Sequence, residues 1–377
     1  MDCPLVYHPA YQAYDFGPRH PFSPVRLERV WTLLEALGAA PEPVAPPAAT
    51  PAEVRWVHDD ALVAQVEAAS DGAPRPDAPR YGLATPDVPA FEGMDAAARL
   101  LVGGTLHAAR LVASGAAVRV LQLGGGLHHA QQALASGFCV YNDLAVAIHH
   151  LRREGLRVAY LDVDVHHGDG VQWLFYEDPD VLTISLHESG RYLFPGTGGV
   201  FEMGEDAGTG YALNVPLEPF TQDASYLDVF ERVVPHALAW FRPDVLVVQC
   251  GADAHAADPL AHLLLTTHGY EALFRRILAL ADVHTGGRLV LTLGGGYDLD
   301  ATTRIWTMLA LLARGLDLPE RLPETWLHRW TDRQGGPPTP TLHDPEAERS
   351  VANRAAIEDQ NRRVSTRLLE LAAPYWH

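Results

Sequence analysis

The chain has 377 residues, 47% of them hydrophobic and 20% charged, enough for a sizeable core in one long α/β domain or in two or three smaller ones. Lys plus Arg number 28 against 47 Asp plus Glu, a formal charge of −19, which weighs against binding a nucleic-acid backbone or an anionic membrane. Gly (32) and Pro (29) follow no period, which removes collagen, and Cys3, Cys139 and Cys250 lie too far apart for a disulfide framework or a CxxC zinc pattern, so a reducing cytoplasm is the expected compartment.

Met1 to Pro4 has neither a basic n-region nor an apolar h-region, and no apolar run approaches the ~20 residues of a membrane span, so an unexported soluble protein is expected. The Ala/Pro-rich stretch 39–52 and the stretch 71–93, with Pro at 74, 76, 79, 86 and 89, read as loops. Residues 95–114 carry apolar side chains at helical spacing, and Val118 to Leu123 follows as a short apolar strand. The alternation continues with a helix at 142–154, strands at 158–161 and 181–186, a helix at 223–241, a strand at 244–250, a helix at 267–285, a strand at 288–293 and a helix at 301–314. This pattern predicts an α/β fold: a single-domain open parallel β-sheet with helices on both faces. Residues 334–346 read as a further loop and 347–373 as helix. The expected division is a main domain over 1–320 and a C-terminal helical extension over 321–377 packed on the same domain. The Gly triplets 124–126 and 294–296 each follow a strand, but their surroundings do not otherwise repeat, so they mark two strand ends.

In open parallel sheets, sites form outside the carboxyl ends of the strands. Those positions here are rich in His and Asp. In Leu161-Asp162-Val163-Asp164-Val165-His166-His167-Gly168-Asp169-Gly170, alternation along a strand puts Asp162, Asp164 and His166 in one polar row. Three ionisable groups in a buried strand are costly unless they are paired or bind a metal. At a second strand end, Gly124 to Gly126 precede His128 and His129, and a glycine turn can present two imidazoles into a cleft. The same glycines make no dinucleotide fingerprint, because position 129 is His. At a third, Asp253 could join Asp164 and His166. Two carboxylates and one imidazole with a fourth position open to water suit catalytic Zn²⁺ or Fe²⁺. Asp258, before Pro259, reads as a turn or cap. At a fourth, Tyr297 follows three glycines, where it either swings its hydroxyl over the site or is a turn aromatic.

The strings GGGLHHA, LDVDVHHGDG, Phe194-Pro195-Gly196-Thr197-Gly198, GADAHAADPL and LGGGYD, in this order, resemble the zinc-dependent histone deacetylases of the arginase/deacetylase fold. GADAHAADPLAHL, together with Tyr14 to Pro21, is most similar to their bacterial acetoin-utilisation-type branch. The resemblance runs from about residue 7 to about 315. It implies Asp164, His166 and Asp253 as zinc ligands. It implies His128 and His129 over the metal-bound water, with Asp162 orienting His128 and Asp169 orienting His129, and Tyr297 as the oxyanion donor. The implied reaction is hydrolysis of an acetyl-lysine amide by zinc-bound water, with His129 as general base and later general acid. It further implies Phe138 and Phe194 as walls of a channel for the acyl-lysine stem, Asp87 at the rim, and Gly137 and Leu260 among the substrate-binding residues. Arg26 corresponds to an arginine below the site that meets acetate. A monovalent cation, K⁺, is implied near positions 162, 164, 166, 185 and 186. Cys139 reads as a buried structural thiol.

A binuclear manganese ureohydrolase would need Asp-x-His-x-Asp in the second strand and an Asp two residues after Asp253. Here the order is Asp162-x-Asp164-x-His166, and position 255 is His. A non-catalytic acyl-lysine-binding module would not need the full set of ligands, tandem His and Tyr. Among amide hydrolases, the substrate is acetyl-lysine on a protein, for instance an acyl-CoA synthetase, or alternatively a small acetylated amine such as an acetylpolyamine. Either is basic, so the negative charge of the chain does not separate them.

Overall fold

The computed structural model describes residues 3–333, 337–345 and 350–376. The chain runs β1 (Leu5–Val6), α1 (Val25–Ala36), α2 (Pro51–Val54), α3 (Asp60–Ser70), α4 (Met94–Ala113), β2 (Arg119–Gln122), α5 (Asp143–Arg153), β3 (Val158–Asp162), α6 (Asp169–Leu174), β4 (Val181–Glu188), β5 (Ala212–Leu217), α7 (Asp223–Phe241), β6 (Val245–Gln249), α8 (Thr267–His284), β7 (Leu289–Thr292), α9 (Leu299–Ala313), α10 (Glu324–Trp330) and α11 (Arg354–Ala372). Seven strands form one sheet in the order β1-β2-β7-β6-β3-β4-β5. All neighbouring pairs are parallel. The five apolar strands and the five helices expected between residues 95 and 314 are present, each within about two residues of its expected ends, whereas the helix expected over 347–373 begins only at Arg354.

The central strands are mostly apolar because both faces are covered: Val245 to Gln249 and Leu289 to Thr292 are wholly buried, with polar residues only at their carboxyl ends. Helix α4 packs on β1, β2 and β7, α7 on β4 and α11 on β5. Helices α5 and α9 start on side-chain caps where they leave the strand ends. Asn142 accepts from Ala145 N at the head of α5, and Asp298 accepts from Ala301 N at the head of α9.

Several expectations need correction. The 39–52 loop is tied into the sheet by a bridge from Val44 to Val6, and α2 begins inside it with a Thr50–Glu53 capping box. The 71–93 loop contains a 3₁₀ turn, Ala78–Tyr81. Of the 334–346 loop, residues 334–336 and 346 lie outside the described residues, as do 347–349 of the 347–373 helix. Helix α10 docks on α1 with Trp326 and Trp330 buried, both indole N–H groups donating to Thr32 Oγ1. Because every strand points the same way, the segments after β2, β3, β4, β6 and β7 meet at one edge of the sheet.

Candidate active site

The turn after β2 is held from below by a buried acid. Asp143 accepts from Gly126 N, from Leu127 N at 2.7 Å and from Thr105 Oγ1 at 2.5 Å. The neighbouring Asn142 side chain donates to the carbonyls of His128 (3.3 Å) and Ala130 (2.9 Å). These bonds fix the backbone so that both imidazoles face the next strand ends, with ring centroids 4.0 Å apart.

Two carboxylates pair with the two rings. His128 Nδ1 lies 2.7 Å from Asp162 Oδ2, and His129 Nδ1 lies 2.6 Å from Asp169 Oδ1. Each Nδ1–H donates to its carboxylate, which leaves Nε2 directed into the cleft. The charge states differ. Burial works to depress His128, but Asp162 and Asp164 outweigh it and raise the ring to about 9. Burial and the neighbouring His128 push His129 down to about 4, against the pull of Asp169. At neutral pH one ring is a cation and its neighbour is a free base.

The polar row of Asp162, Asp164 and His166 is not a strand face, because β3 stops at Asp162. Beyond it the backbone bends twice. Asp162 Oδ1 accepts from Asp164 N (3.1 Å), and Asp164 Oδ1 accepts from His166 N (3.0 Å). These local bonds, rather than pleat alternation, turn both side chains toward Asp253. Ligand atoms from Asp164, His166 and Asp253 lie within 4.8 Å of one another, and all three residues are buried. His166 Nδ1 is 3.0 Å from Asp164 Oδ1 and 3.1 Å from Asp253 Oδ2. Burial and the charge of Asp164 push the Asp253 carboxyl up. Glycine walls the pocket: a Cβ on Gly295 would sit 1.9 Å from Asp253 Oδ2 and 2.7 Å from Asp164 Oδ2. Converging hard and borderline donors, packed against backbone that leaves no room for a side chain, fit a divalent ion.

Aromatic rings frame the opening above this cluster. Phe194 stands edge-on to His129 at 5.0 Å and is 45% exposed, while Phe138 stands edge-on to Tyr297 at 5.7 Å. Phe138 takes a left-handed backbone (φ 66°), held by Tyr14, whose hydroxyl donates to Phe138 O and accepts from Val140 N. Asp87 Oδ2 accepts from Gly137 N at 2.8 Å, and burial raises its carboxyl. A Cβ on Gly137 would strike His129 Cδ2 at 2.3 Å, so this backbone presses on the ring as only glycine allows. Tyr297 lies 6.5 Å, ring to ring, from His166, and burial holds its phenol well above its usual range, hence protonated. Leu260 is half-buried, its N–H on Asp258 Oδ1.

Asp258 is indeed a turn former, but its other oxygen accepts from Tyr297 N (2.8 Å) and so ties two strand ends together. Arg26 is buried behind the site and donates to the carbonyls of Gly294 and Gly296, both at 3.0 Å. Cys139 is buried, and burial raises its thiol well above the usual range. Ser185 Oγ lies 2.8 Å from His187 Nδ1.

Four supports were not read from the sequence: Asp143, Asn142, Gln249 and His58. Gln249 bridges Asp164 Oδ2 (2.7 Å) and Gly251 N (2.7 Å). Its signal was an amide closing the apolar run Val245 to Val248. His58 donates from Nδ1 to Gln131 O and accepts at Nε2 from Asn142 N, each at 2.9 Å.

The histone deacetylase domain profile matches residues 20–312. The chain is 44% identical over 334 residues to the acetoin utilization protein AcuC of Bacillus subtilis (strain 168), covering 87% of this chain and 86% of the relative. It is 40% identical over 333 residues to AcuC of Staphylococcus aureus (strain MRSA252), covering 86% and 85%. The crystal structure of an HDAC homolog from Aquifex aeolicus superposes with a TM-score of 0.84 at 26% identity, over 97% of this chain and 100% of that one. A crystal structure of an HDAC homolog complexed with SAHA also gives a TM-score of 0.84, at 27% identity with the same coverage.

Proposed function

The chain belongs to the histone deacetylase family, with the arginase/deacetylase fold and the acetoin-utilisation type of sequence, and from that premise we propose that it removes acetyl groups from the ε-amino group of lysine in proteins. The observation that carries this reading is the buried Asp164–His166–Asp253 cluster beneath a neutral His129 at the foot of an aromatic-walled opening. Asp164, His166 and Asp253 would hold the ion, Zn²⁺ on this donor set with Fe²⁺ as the alternative. Such an ion supplies Lewis acidity to the acetamide carbonyl and acidifies the attacking water.

The remaining chemistry belongs to the chain. His129 takes the proton of the water at Nε2, Asp169 having fixed the proton on Nδ1, and delivers it to the leaving amine. His128, paired through Nδ1 with Asp162, contributes charge and a hydrogen bond. The protonated Tyr297 phenol donates where the carbonyl oxygen becomes negative. Phe138, Phe194 and Gly137 line the path of the acyl-lysine stem, and Asp87 and Leu260 meet the backbone of the substrate at the rim. K⁺ on main-chain oxygens of Asp162, Asp164, His166 and Leu186 with Ser185 belongs to the same proposal and rests on the family resemblance. An acyl-CoA synthetase is the class of protein substrate proposed, in the cytoplasm.

The test is acetate release from an acetyl-lysine peptide by zinc-reconstituted protein, beside Tyr297→Phe and Asp253→Ala. Turnover by the parent that falls by about 10²-fold or more in both variants supports the assignment. A parent that releases no acetate from the peptide but does so from an acetylpolyamine overturns the protein-lysine reading. Retained binding with no hydrolysis of either substrate makes the chain an acyl-lysine-binding module instead.

A further inference from the structure

Helix α11 lies beyond the matched domain, yet its Asn361 side chain is wholly buried in a turn shared by the loop that carries Phe194 and the segment that follows Leu260. Asn361 accepts at Oδ1 from Glu218 N (2.9 Å) and donates from Nδ2 to Thr221 Oγ1 (2.7 Å) and Ser225 Oγ (3.0 Å). The amide thus uses its carbonyl and both N–H donors to close the turn between β5 and α7.

Both loops end on that turn. On one side, Ser189 N donates to Leu217 O (2.8 Å), and the Arg191 guanidinium hydrogen-bonds the Glu218 carboxylate, which anchors residues 189–199 with Phe194 among them. On the other, Leu264 N donates to Thr221 O and Phe220 N donates to His262 O, both at 2.9 Å, which anchors the segment that runs on from Asp258 and Leu260. Apolar packing does little here. Phe220 and Tyr192 are 50% and 52% exposed, and a groove of about 570 Å³ lined by Tyr192, Phe220, Leu264 and Ile357 separates α11 from the loops. Asn361 adds three polar bonds to a turn that the Thr221 hydroxyl also closes on Glu218 O (2.6 Å).

We propose that Asn361 is a positioning residue that acts through the 218–221 turn to set the spacing between the Phe194 loop and the Leu260 loop, and so the grip on the acyl-lysine stem. The substrate part of this inference rests on the deacetylase reading; the geometric part does not. Asn361→Ala removes all three bonds, whereas Asn361→Asp keeps the acceptor for Glu218 N.

The experiment compares the full-length parent and both variants by amide hydrogen exchange and by steady-state kinetics on an acetyl-lysine peptide. In Asn361→Ala, exchange in 189–199 and 260–264 should quicken by about tenfold with 126–130 unchanged, because a local opening is made easier without unfolding the centre. KM should rise about fivefold with kcat within about twofold, and Asn361→Asp should recover part of that rise. Quickened exchange confined to α11, or a fall in kcat with KM unchanged, overturns the proposal, since a merely structural role reduces only the folded fraction. A parent that hydrolyses no peptide removes the protein-lysine reading, and the exchange result alone then decides for or against the turn.

Discussion

Acid should loosen the tandem-histidine turn through His58, a residue that touches neither the metal cluster nor the opening. His58 is 3% exposed, and its two ring nitrogens are already committed, Nδ1–H to Gln131 O and Nε2 to the Asn142 N–H. A second proton on Nε2 would face an N–H donor, and burial lowers the ring from 6.5 to about 4. The folded value lies below the unfolded one, so above pH 6.5 the residue contributes nothing to pH dependence. As pH falls from 6.5 to 4 the unfolded chain takes up the proton and the native chain does not, so stability drops by about 1.4 kcal/mol per pH unit, about 3 kcal/mol in all. Below pH 4 the effect levels off. The assay is urea unfolding of the parent and His58→Gln at several values between pH 8 and pH 4. Gln satisfies at most one of the two bonds, so the variant should lose about 1–2 kcal/mol at pH 8, yet it should show a slope smaller by one proton between 6.5 and 4. Other buried histidines titrate in the same window, and the difference between the two proteins cancels them. Equal slopes, or a His58 that titrates near 6.5 in the native protein by NMR, would refute the reasoning.

Two further outcomes follow from close packing at the site. Gly295→Ala places a Cβ within 1.9 Å of Asp253 Oδ2, so the two acids must separate, and zinc affinity measured by calorimetric titration should fall by about tenfold or more; undiminished affinity would mean that these oxygens do not face a common ion. Asp143→Ala strips the acceptor from Gly126 N and Leu127 N, both buried, and should cost about 2–4 kcal/mol in denaturant unfolding. A cost below about 1 kcal/mol would show that the glycine turn holds itself.

The parts of the fold that were legible are those where one physical demand dominates. The five central strands are mostly apolar because both faces are covered. The two strands not predicted are the edges: β1 is only Leu5–Val6, and β5 carries Asn214 and Pro216, a composition tolerated where one side of the ladder is unpaired. Helix α1 escaped for a different reason. Its inward face includes Arg26, Arg29 and Thr32, all buried, so the side that meets the core does not read as apolar. Arg26 is spent on the carbonyls of Gly294 and Gly296, contacts 268 and 270 residues away that no local pattern encodes.

The site divides in the same way. Asp162, Asp164, His166 and Asp253 stood out because ionisable groups stand at or just past the ends of apolar strands, and the structure gathers the last three of them around one point. The supports were harder to see, since Gln249 on Asp164, and Asn142 and Asp143 on the turn of His128 and His129, act through hydrogen bonds to partners brought near only by the sheet. The adjacent histidines show why neighbours in sequence need not be equivalent. His128 meets Asp162 at Nδ1 and, at 3.9 Å from Nε2, Asp164, so two negative groups keep it charged. His129 meets only Asp169 and sits beside the cation it follows, so it stays neutral. One turn thus carries two imidazoles shifted in opposite directions, and the difference arises from which carboxylates each ring meets. Amide hydrolysis needs both, because a base must first accept a proton and a fixed positive charge must offset the negative charge that then develops.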